Sequence, residues 1–302
     1  MNRLTILVGL PGSGKDSAIR TLIKGTESSV VVSSDEIRKE LFGYEDQTQN
    51  SLVFAEMARR TKAYSKTHAR VYYNATNLSR KRRVALCNDM KKYFTEIEVL
   101  VCLCPIEELL ERNETREERH LPKDALVRMI KSIQLPLLNE WDYANIIYMY
   151  TGAEESIKRL SLLDIKDYDQ NNKHHNETLD KHIIRTANAC VSNPLAFEAA
   201  VYHDMGKPFC REEGKDGMSH YRQHNLVGAY MYATNELSVC SIMELHKNFN
   251  DVIALIEFHD HIFNFNHSVE DMREKYDKQY KDLDDEFWKA FKMLTDADRL
   301  RP

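Results

Sequence analysis

Short apolar runs alternate with stretches of helical periodicity through the first half of the chain. Residues 4–8, 29–33, 71–74, 97–104 and 145–150 are brief, rich in β-branched or aromatic residues and bounded by polar or turn residues, so they read as buried strands. Between them, residues 15–24, a segment opening near Ser34, residues 51–67, a segment after Pro105 and one opened by Pro122 read as helices. Strand and helix in alternation predict a parallel sheet with crossover helices. Residues 152–162 read as a further helix, and the polar stretch 164–173 as a connector. From residue 174 onward no strand pattern is visible, and Leu179, Ile183 and Ile184, then Ala196, Ala199, Ala200 and His203, recur at helical spacing. The expectation is an α/β domain over residues 1–152 and an all-α domain over residues 168–302.

The first strand breaks into Gly9-Leu10-Pro11-Gly12-Ser13-Gly14-Lys15-Asp16-Ser17, a phosphate-binding loop. Its glycines let backbone N–H groups approach a nucleotide's phosphates, the next helix points its N-terminal dipole at them, and the lysine reaches the β/γ oxygens. Gly12, Ser13, Gly14, Lys15, Asp16 and Ser17 are therefore the expected nucleotide-binding residues. The motif ordinarily carries Ser or Thr after the lysine, as a Mg²⁺ ligand. Asp16 stands there instead. A carboxylate holds Mg²⁺ directly or through water, so an active loop with altered metal geometry is expected, with the Ser17 hydroxyl near the α-phosphate.

Composition adds class and compartment. Of 302 residues, 42% are apolar and 29% charged, which describes a globular chain long enough for two cores. No apolar run approaches the roughly 20 residues of a membrane span, and the N-terminus leads straight into the first strand, so no leader is expected. Cys87, Cys102, Cys104, Cys190, Cys210 and Cys240 lie among apolar neighbours without a C-x-x-C pair, which suits thiols in a reducing, cytoplasmic setting. Residues 1–150 carry 23 Lys and Arg against 20 Asp and Glu, whereas residues 151–302 carry 19 against 27 and hold ten of the twelve histidines. The two halves are expected to do different chemistry.

In the first half, Asp35 and Arg38 share a face near a helix start, beside the end of the second strand. They read either as a base with a phosphate-holding arginine or as an N-cap with a surface arginine, and the adjacent phosphate loop favours the former. The run Arg80-Lys81-Arg82-Arg83 reads equally as a polynucleotide contact or a solvated helix face. Taken together, G-x-P-G-S-G-K, Asp35-x-x-Arg38, Ala75-Thr76-Asn77-Leu78 followed by Arg82-Arg83, and Arg112-Asn113-x-x-Arg116 resemble the 5′-hydroxyl polynucleotide kinase domain of phage and bacterial end-healing enzymes, over roughly residues 1–150. The resemblance implies Lys15 on the phosphates of ATP or another nucleoside triphosphate with Mg²⁺. It also implies Asp35 as general base toward a ribose 5′-OH, Arg38 on the neighbouring substrate phosphate, and Arg116 and Arg119 as lid arginines on the transferring phosphoryl group.

In the second half, His182, the sequence His203-Asp204-Met205-Gly206-Lys207, His224, the sequence His259-Asp260-His261, and the downstream pair Asp296 and Asp298 could give a divalent metal two nitrogens and two oxygens from separate helices. This set resembles the HD metallophosphohydrolase superfamily. The resemblance implies His182, His203, Asp204 and Asp298 as core ligands, with Asp296 competing for the last place. It implies Lys207 facing a substrate phosphate, and His224 with His259 or His261 at a second metal. Histidine nitrogens with carboxylates suit Mn²⁺, Co²⁺, Ni²⁺ or Zn²⁺ better than Mg²⁺.

The fold expected is thus an α/β P-loop kinase domain with a parallel sheet, followed by an all-α HD-type domain. The function expected is that of an enzyme healing both ends of broken nucleic acid, RNA favoured over DNA, and handing its product to a ligase. A small-metabolite or nucleoside kinase joined to a nucleotide phosphohydrolase, and a non-catalytic nucleic-acid-binding ATP sensor, are the rival readings.

Overall fold

The structure, a computed structural model, describes the chain except residues 27, 44–47, 117–119, 141–143, 154–160, 173–175, 245, 281–282 and 301–302, and the side chain of residue 139. Its contacts form two compact units. The first comprises Met1–Met129, Glu140–Ser156 and Leu237–Leu245, and the second Ile130–Asn139, Ile157–Glu236 and His246–Pro302. Residues 130–139 thus join the second unit, and residues 237–245 the first.

The first unit is a six-stranded sheet of β1 (Arg3–Val8), β2 (Ser29–Ser33), β3 (Arg70–Asn74), β4 (Glu96–Leu103), β5 (Ala144–Tyr150) and β8 (Ile242–Glu244), in the order β2-β3-β1-β4-β5-β8. Strands β1, β2, β3, β4 and β5 run parallel. Helices α1 (Lys15–Leu22), α2 (Ser34–Phe42), α3 (Asn50–Tyr64), α4 (Arg80–Met90), α5 (Ile106–Glu114) and α6 (Lys123–Ser132), whose last residues pass into the second unit, make the crossovers. Leu4, Ile6, Leu7 and Val8 of β1 are all fully buried, as a central strand covered on both faces requires.

The second unit is largely helical: α7 (Leu179–Ala189), α8 (Pro194–Tyr202), the short α9 (Lys207–Cys210), most of α10 (His224–Cys240), α11 (Lys247–Phe258), α12 (Val269–Gln279) and α13 (Asp285–Asp298). Two expectations are corrected. The chain beyond residue 174 is not free of strands: β6 (Glu212–Glu213) pairs with β7 (Ser219–His220), and β8 (Ile242–Glu244) pairs antiparallel with β5, so the sheet is not wholly parallel. Elements of two or three residues carry no periodicity to read, and β8 exists because the edge of β5 offers it a partner. The helix expected over residues 152–162 lies mainly outside the described residues; residues Leu162–Ile165 form a 3-10 turn capped by Ser161. Among the described residues no helix is long and apolar enough to cross a membrane. No disulfide joins the cysteines, of which five are buried and Cys240 is exposed.

Candidate functional site

The phosphate loop leaves β1 at the carboxyl end of the sheet. Gly9 sits at φ +157°, where an added Cβ would lie 2.4 Å from Ser13 Oγ and 2.7 Å from the Cys102 carbonyl oxygen, so the loop closes only on glycine. Gly14, at φ 76°, caps α1. Lys15 curls back, its Nζ donating to the Gly9 and Leu10 carbonyls at 3.0 and 2.8 Å. Burial pushes the Lys15 pKa down; Cys102, Asp16 and Asp35 oppose that shift and Arg116 adds to it. Lys15, Asp16, Asp35 and Arg116 therefore share one electrostatic neighbourhood. Arg119 lies outside the described residues.

Asp35 is not the N-cap of α2. Ser33 holds that place, accepting from the Glu36 amide at 3.4 Å, and Asp35 stands in the first turn. Arg38 is buried rather than a surface residue, and donates to Asp35 (3.1 Å) and to the Asn50 side-chain oxygen (2.8 Å). Asp16 accepts from Asn74 Nδ2 at 2.7 Å, so the last residue of β3 orients the carboxylate that replaces the usual hydroxyl. An oriented oxygen donor one residue beyond Lys15 fits a magnesium ion. Ser17 turns away: it is exposed, and its hydroxyl accepts from Arg20 at 2.8 Å. It contributes its place in α1 rather than a loop contact.

Several residues around the loop went unassigned in the sequence. Arg112, one helical turn before Arg116, donates to the Gly12 carbonyl (2.9 Å) and the Thr151 carbonyl (2.7 Å), and Thr151 Oγ1 donates to the Ser13 carbonyl (2.8 Å). Arg112 was visible as the first residue of Arg112-Asn113-x-x-Arg116, but Thr151 carries no local signal. The basic run divides by helix face. Arg80 and Arg83 are buried against Glu140, with Arg83 also donating to the Asn77 and Leu78 carbonyls, whereas Lys81 and Arg82 are exposed. Two of the four cations are thus structural, and neither the polynucleotide reading nor the solvated-face reading holds for them.

In the second unit, helix ends converge. Asn193 caps α8 by accepting from the Ala196 amide at 3.0 Å, and the helix delivers His203 and Asp204 at its C-terminal end. Gly206 then lets the start of α10 approach: a Cβ there would lie 2.2 Å from the His224 carbonyl oxygen. His182 of α7, His203, Asp204 and Asp298 at the end of α13 form one set of donors, and Asp204, His224 and His259 a second. His182 Nε2 lies 3.0 Å from Asp298 Oδ1, 3.1 Å from Asp204 Oδ2 and 3.2 Å from His203 Nε2. Asp204 Oδ1 turns to His224 Nε2 at 3.0 Å, and His224 Nε2 lies 3.3 Å from His259 Nε2. Bonds of about 2.1 Å to one ion space neighbouring ligand atoms by roughly 3.0 Å in an octahedron and roughly 3.4 Å in a tetrahedron. The donors of the first set fit one divalent ion; the second set, which shares Asp204, fits in its His224 spacings and is wider at His259 Nε2 to Asp204 Oδ1, 3.9 Å. Nδ1 of His203, His224 and His259 each lies 2.7–2.8 Å from the carbonyl three residues earlier, which fixes the tautomer that leaves Nε2 to face inward.

The structure selects among the alternatives. Asp296 is exposed and paired with Lys292, whereas Asp298 stands with Asp204 among the donors of the first set. His261 sets Nδ1 2.7 Å from the Tyr276 hydroxyl, so His259 joins His224. Lys207 is buried, donating to Asp204 Oδ2 at 2.6 Å and to Gln170 at 3.0 Å, so its charge is applied to the shared carboxylate. Burial alone would depress the His203 pKa, but Asp204 and Asp298 outweigh it and raise it to about 10. Burial likewise opposes the charged forms of Asp204 and Asp298, yet Lys207 and His203 hold the first, and His182 and His203 the second, well below the usual carboxylate range. His259 moves the other way, pushed down by burial and by the neighbouring rings.

Against known proteins, residues 4–136 match a family profile described as an AAA domain. The solved Pnkp1/Rnl/Hen1 RNA repair complex contains a chain 28% identical, with 43% of this chain and 43% of that chain covered at a TM-score of 0.40. A second structure of the Pnkp1/Rnl/Hen1 complex matches at 26% identity over 40% and 43%, with a TM-score of 0.35. A sugar kinase from Janibacter sp. matches at 16% identity over 50% of this chain and 86% of that one, with a TM-score of 0.38. The chain thus spans less than half the length of the two repair-complex chains. The first unit is an α/β domain whose first strand runs into a phosphate-binding loop, and the chain that follows it is mainly helical.

Proposed function

We propose that the chain is a bifunctional enzyme of nucleic-acid ends, RNA in the first place: an ATP-dependent 5′-hydroxyl kinase in the first unit and a metal-dependent phosphohydrolase acting on 2′,3′-cyclic or terminal phosphates in the second. The observation that carries the reading is that one chain holds a P-loop with two carboxylates and Arg116 in its field, and separately a set of four histidines and two aspartates spaced as metal ligands. In the kinase unit, Lys15 binds the triphosphate, Asp35 accepts the proton of the attacking hydroxyl, Arg38 holds Asp35 and a neighbouring substrate phosphate, and Arg116 with Arg119 offsets charge on the transferring group. Asp16 is the protein's oxygen donor to Mg²⁺.

In the second unit His182, His203, Asp204 and Asp298 would hold one divalent transition metal, and Asp204, His224 and His259 another. Bound there, such ions supply Lewis acidity toward a phosphoryl oxygen and acidify water. The protein's own part is to exclude bulk solvent with buried rings, fix each imidazole, and hold Asp204 ionised with Lys207. Cleavage by metal-independent nucleases leaves a 5′-OH and a 2′,3′-cyclic phosphate, and both must be processed before a ligase can act, which gives the two activities a common substrate. The test is a broken RNA with those two ends, incubated with labelled ATP and a panel of divalent ions. Label on the 5′ end and loss of the cyclic phosphate are expected. Transfer to mononucleosides or sugars but not to RNA would instead establish the small-metabolite reading.

A further inference from the structure

His182 is held differently from its companions. Whereas His203, His224 and His259 set Nδ1 against backbone carbonyls, His182 Nδ1 lies 2.8 Å from Arg185 Nη2 and 3.4 Å from Glu177 Oε1. Arg185 in turn donates to Glu177 Oε1 at 2.9 and 2.7 Å, and to the carbonyl of Ala297 at 3.1 Å, the residue before Asp298. A guanidinium only donates, so in the metal-free protein His182 Nδ1 accepts and the ring proton sits on Nε2, facing the Asp204 and Asp298 oxygens. A metal ion on Nε2 requires the other tautomer. The proton then sits on Nδ1, having passed through solvent with no net gain or loss, and needs an acceptor there. Glu177 Oε1 supplies one, held in place by Arg185.

We infer that Glu177 is a positioning residue, which accepts the hydrogen bond of His182 Nδ1–H in the metal-loaded protein, and that the Glu177–Arg185 pair sets the affinity of the His182–His203–Asp204–Asp298 site alone. This rests on reading the cluster as a metal centre. The rings of the Asp204–His224–His259 site are fixed by main chain, so that site is independent of the pair. Arg185 holds both Glu177, which faces the His182 ring, and the Ala297 carbonyl at the end of α13, so through Glu177 it aligns two ligands from different helices at once. One site is therefore tunable by exchangeable side chains and the other is not.

The experiment is titration of the metal-depleted full chain with Mn²⁺, followed by calorimetry and by Mn²⁺ electron spin resonance. Without nucleotide, the second unit of the wild type should bind two ions. Glu177→Ala should weaken one of them by about 10- to 100-fold, the loss typical of an outer partner of a metal-bound histidine, and leave the other unchanged. Glu177→Gln keeps an acceptor oxygen and should recover most of that affinity. His224→Ala should weaken the ion that Glu177→Ala spares. Two ions bound with unchanged affinities in Glu177→Ala overturn the assignment, as does equal weakening of both. If Glu177→Ala melts early, the Gln variant decides by the same criterion, since loss there as complete as with Ala removes the acceptor role. A wild-type protein that binds no ion overturns the metal centre itself, a result distinct from either.

Discussion

At the scale of single residues, the kinase activity proposed for the first unit turns on two carboxylates with different surroundings. Asp35 is paired with a buried arginine and lies in the field of Lys15. As the proposed base it predicts that Asp35→Ala lowers 5′-phosphorylation by about 10²- to 10⁴-fold while cyclic-phosphate hydrolysis is unchanged. Kinase activity within twofold of wild type would remove Asp35 from that role. Asp16, oriented by Asn74, is the proposed metal donor rather than a base. Asp16→Ala should raise the Mg²⁺ concentration needed for half-maximal phosphorylation and for tight ATP binding, and Asp16→Ser, which restores the usual hydroxyl, should be tolerated. An unaltered Mg²⁺ dependence of ATP binding in Asp16→Ala counts against the assignment.

At the scale of elements, helix phase and helix contact decide what sequence spacing left open. Two residues apart on α13 means about 200° apart around its axis, so Asp296 and Asp298 face opposite ways. Asp298→Ala should abolish phosphohydrolase activity. Asp296→Ala, which removes an exposed pair worth about 0.3–0.5 kcal/mol, should leave it within twofold in the same assay. Gly206→Ala should lower stability by about 1–3 kcal/mol in thermal melts, because the added carbon meets the main chain of α10 rather than a movable side chain. The P-loop, His203-Asp204 and the parallel strands were legible because each is a local pattern. The burial of Arg80 and Arg83 was not, since their partner Glu140 lies about 60 residues on and only folding brings it near. That His259 and not His261 lies beside His224 was equally hidden, since it depends on the packing of Tyr276 against His261. Glu177 and Arg185 had no signal, because an outer partner of a ligand has no fixed spacing from it.

At the scale of the whole molecule, the second unit stores a pH dependence that metal should rewrite. In the metal-free protein His203 titrates near 10 against about 6.5 unfolded, so its contribution to stability is complete below about 6.5 and is lost as pH rises through 10. Asp204 and Asp298, depressed when folded, contribute above the usual carboxylate range and lose that contribution as pH falls through their lowered values. His259, depressed when folded, costs stability at low pH and ceases to as pH rises to about 6.5, so the melting temperature of the metal-free protein should rise toward pH 6.5 and fall above it. Metal must displace the His203 proton, so loading should tighten with pH and release protons, which calorimetry in buffers of different ionisation enthalpy reads directly. A metal-free melting profile flat from pH 6.5 to 10 would contradict this. The path of the chain carries its own consequence, in time rather than in space. The strand that covers the edge of β5 is β8, which ends 94 residues after β5 does. During synthesis at about 5–20 residues per second, the nascent sheet waits roughly 5–20 s with that edge bare before its last strand leaves the ribosome. The unit made first is thus among the last to be finished, and the interval in which its open edge can meet a neighbouring nascent chain is set by the length of a helical segment that belongs to the other unit.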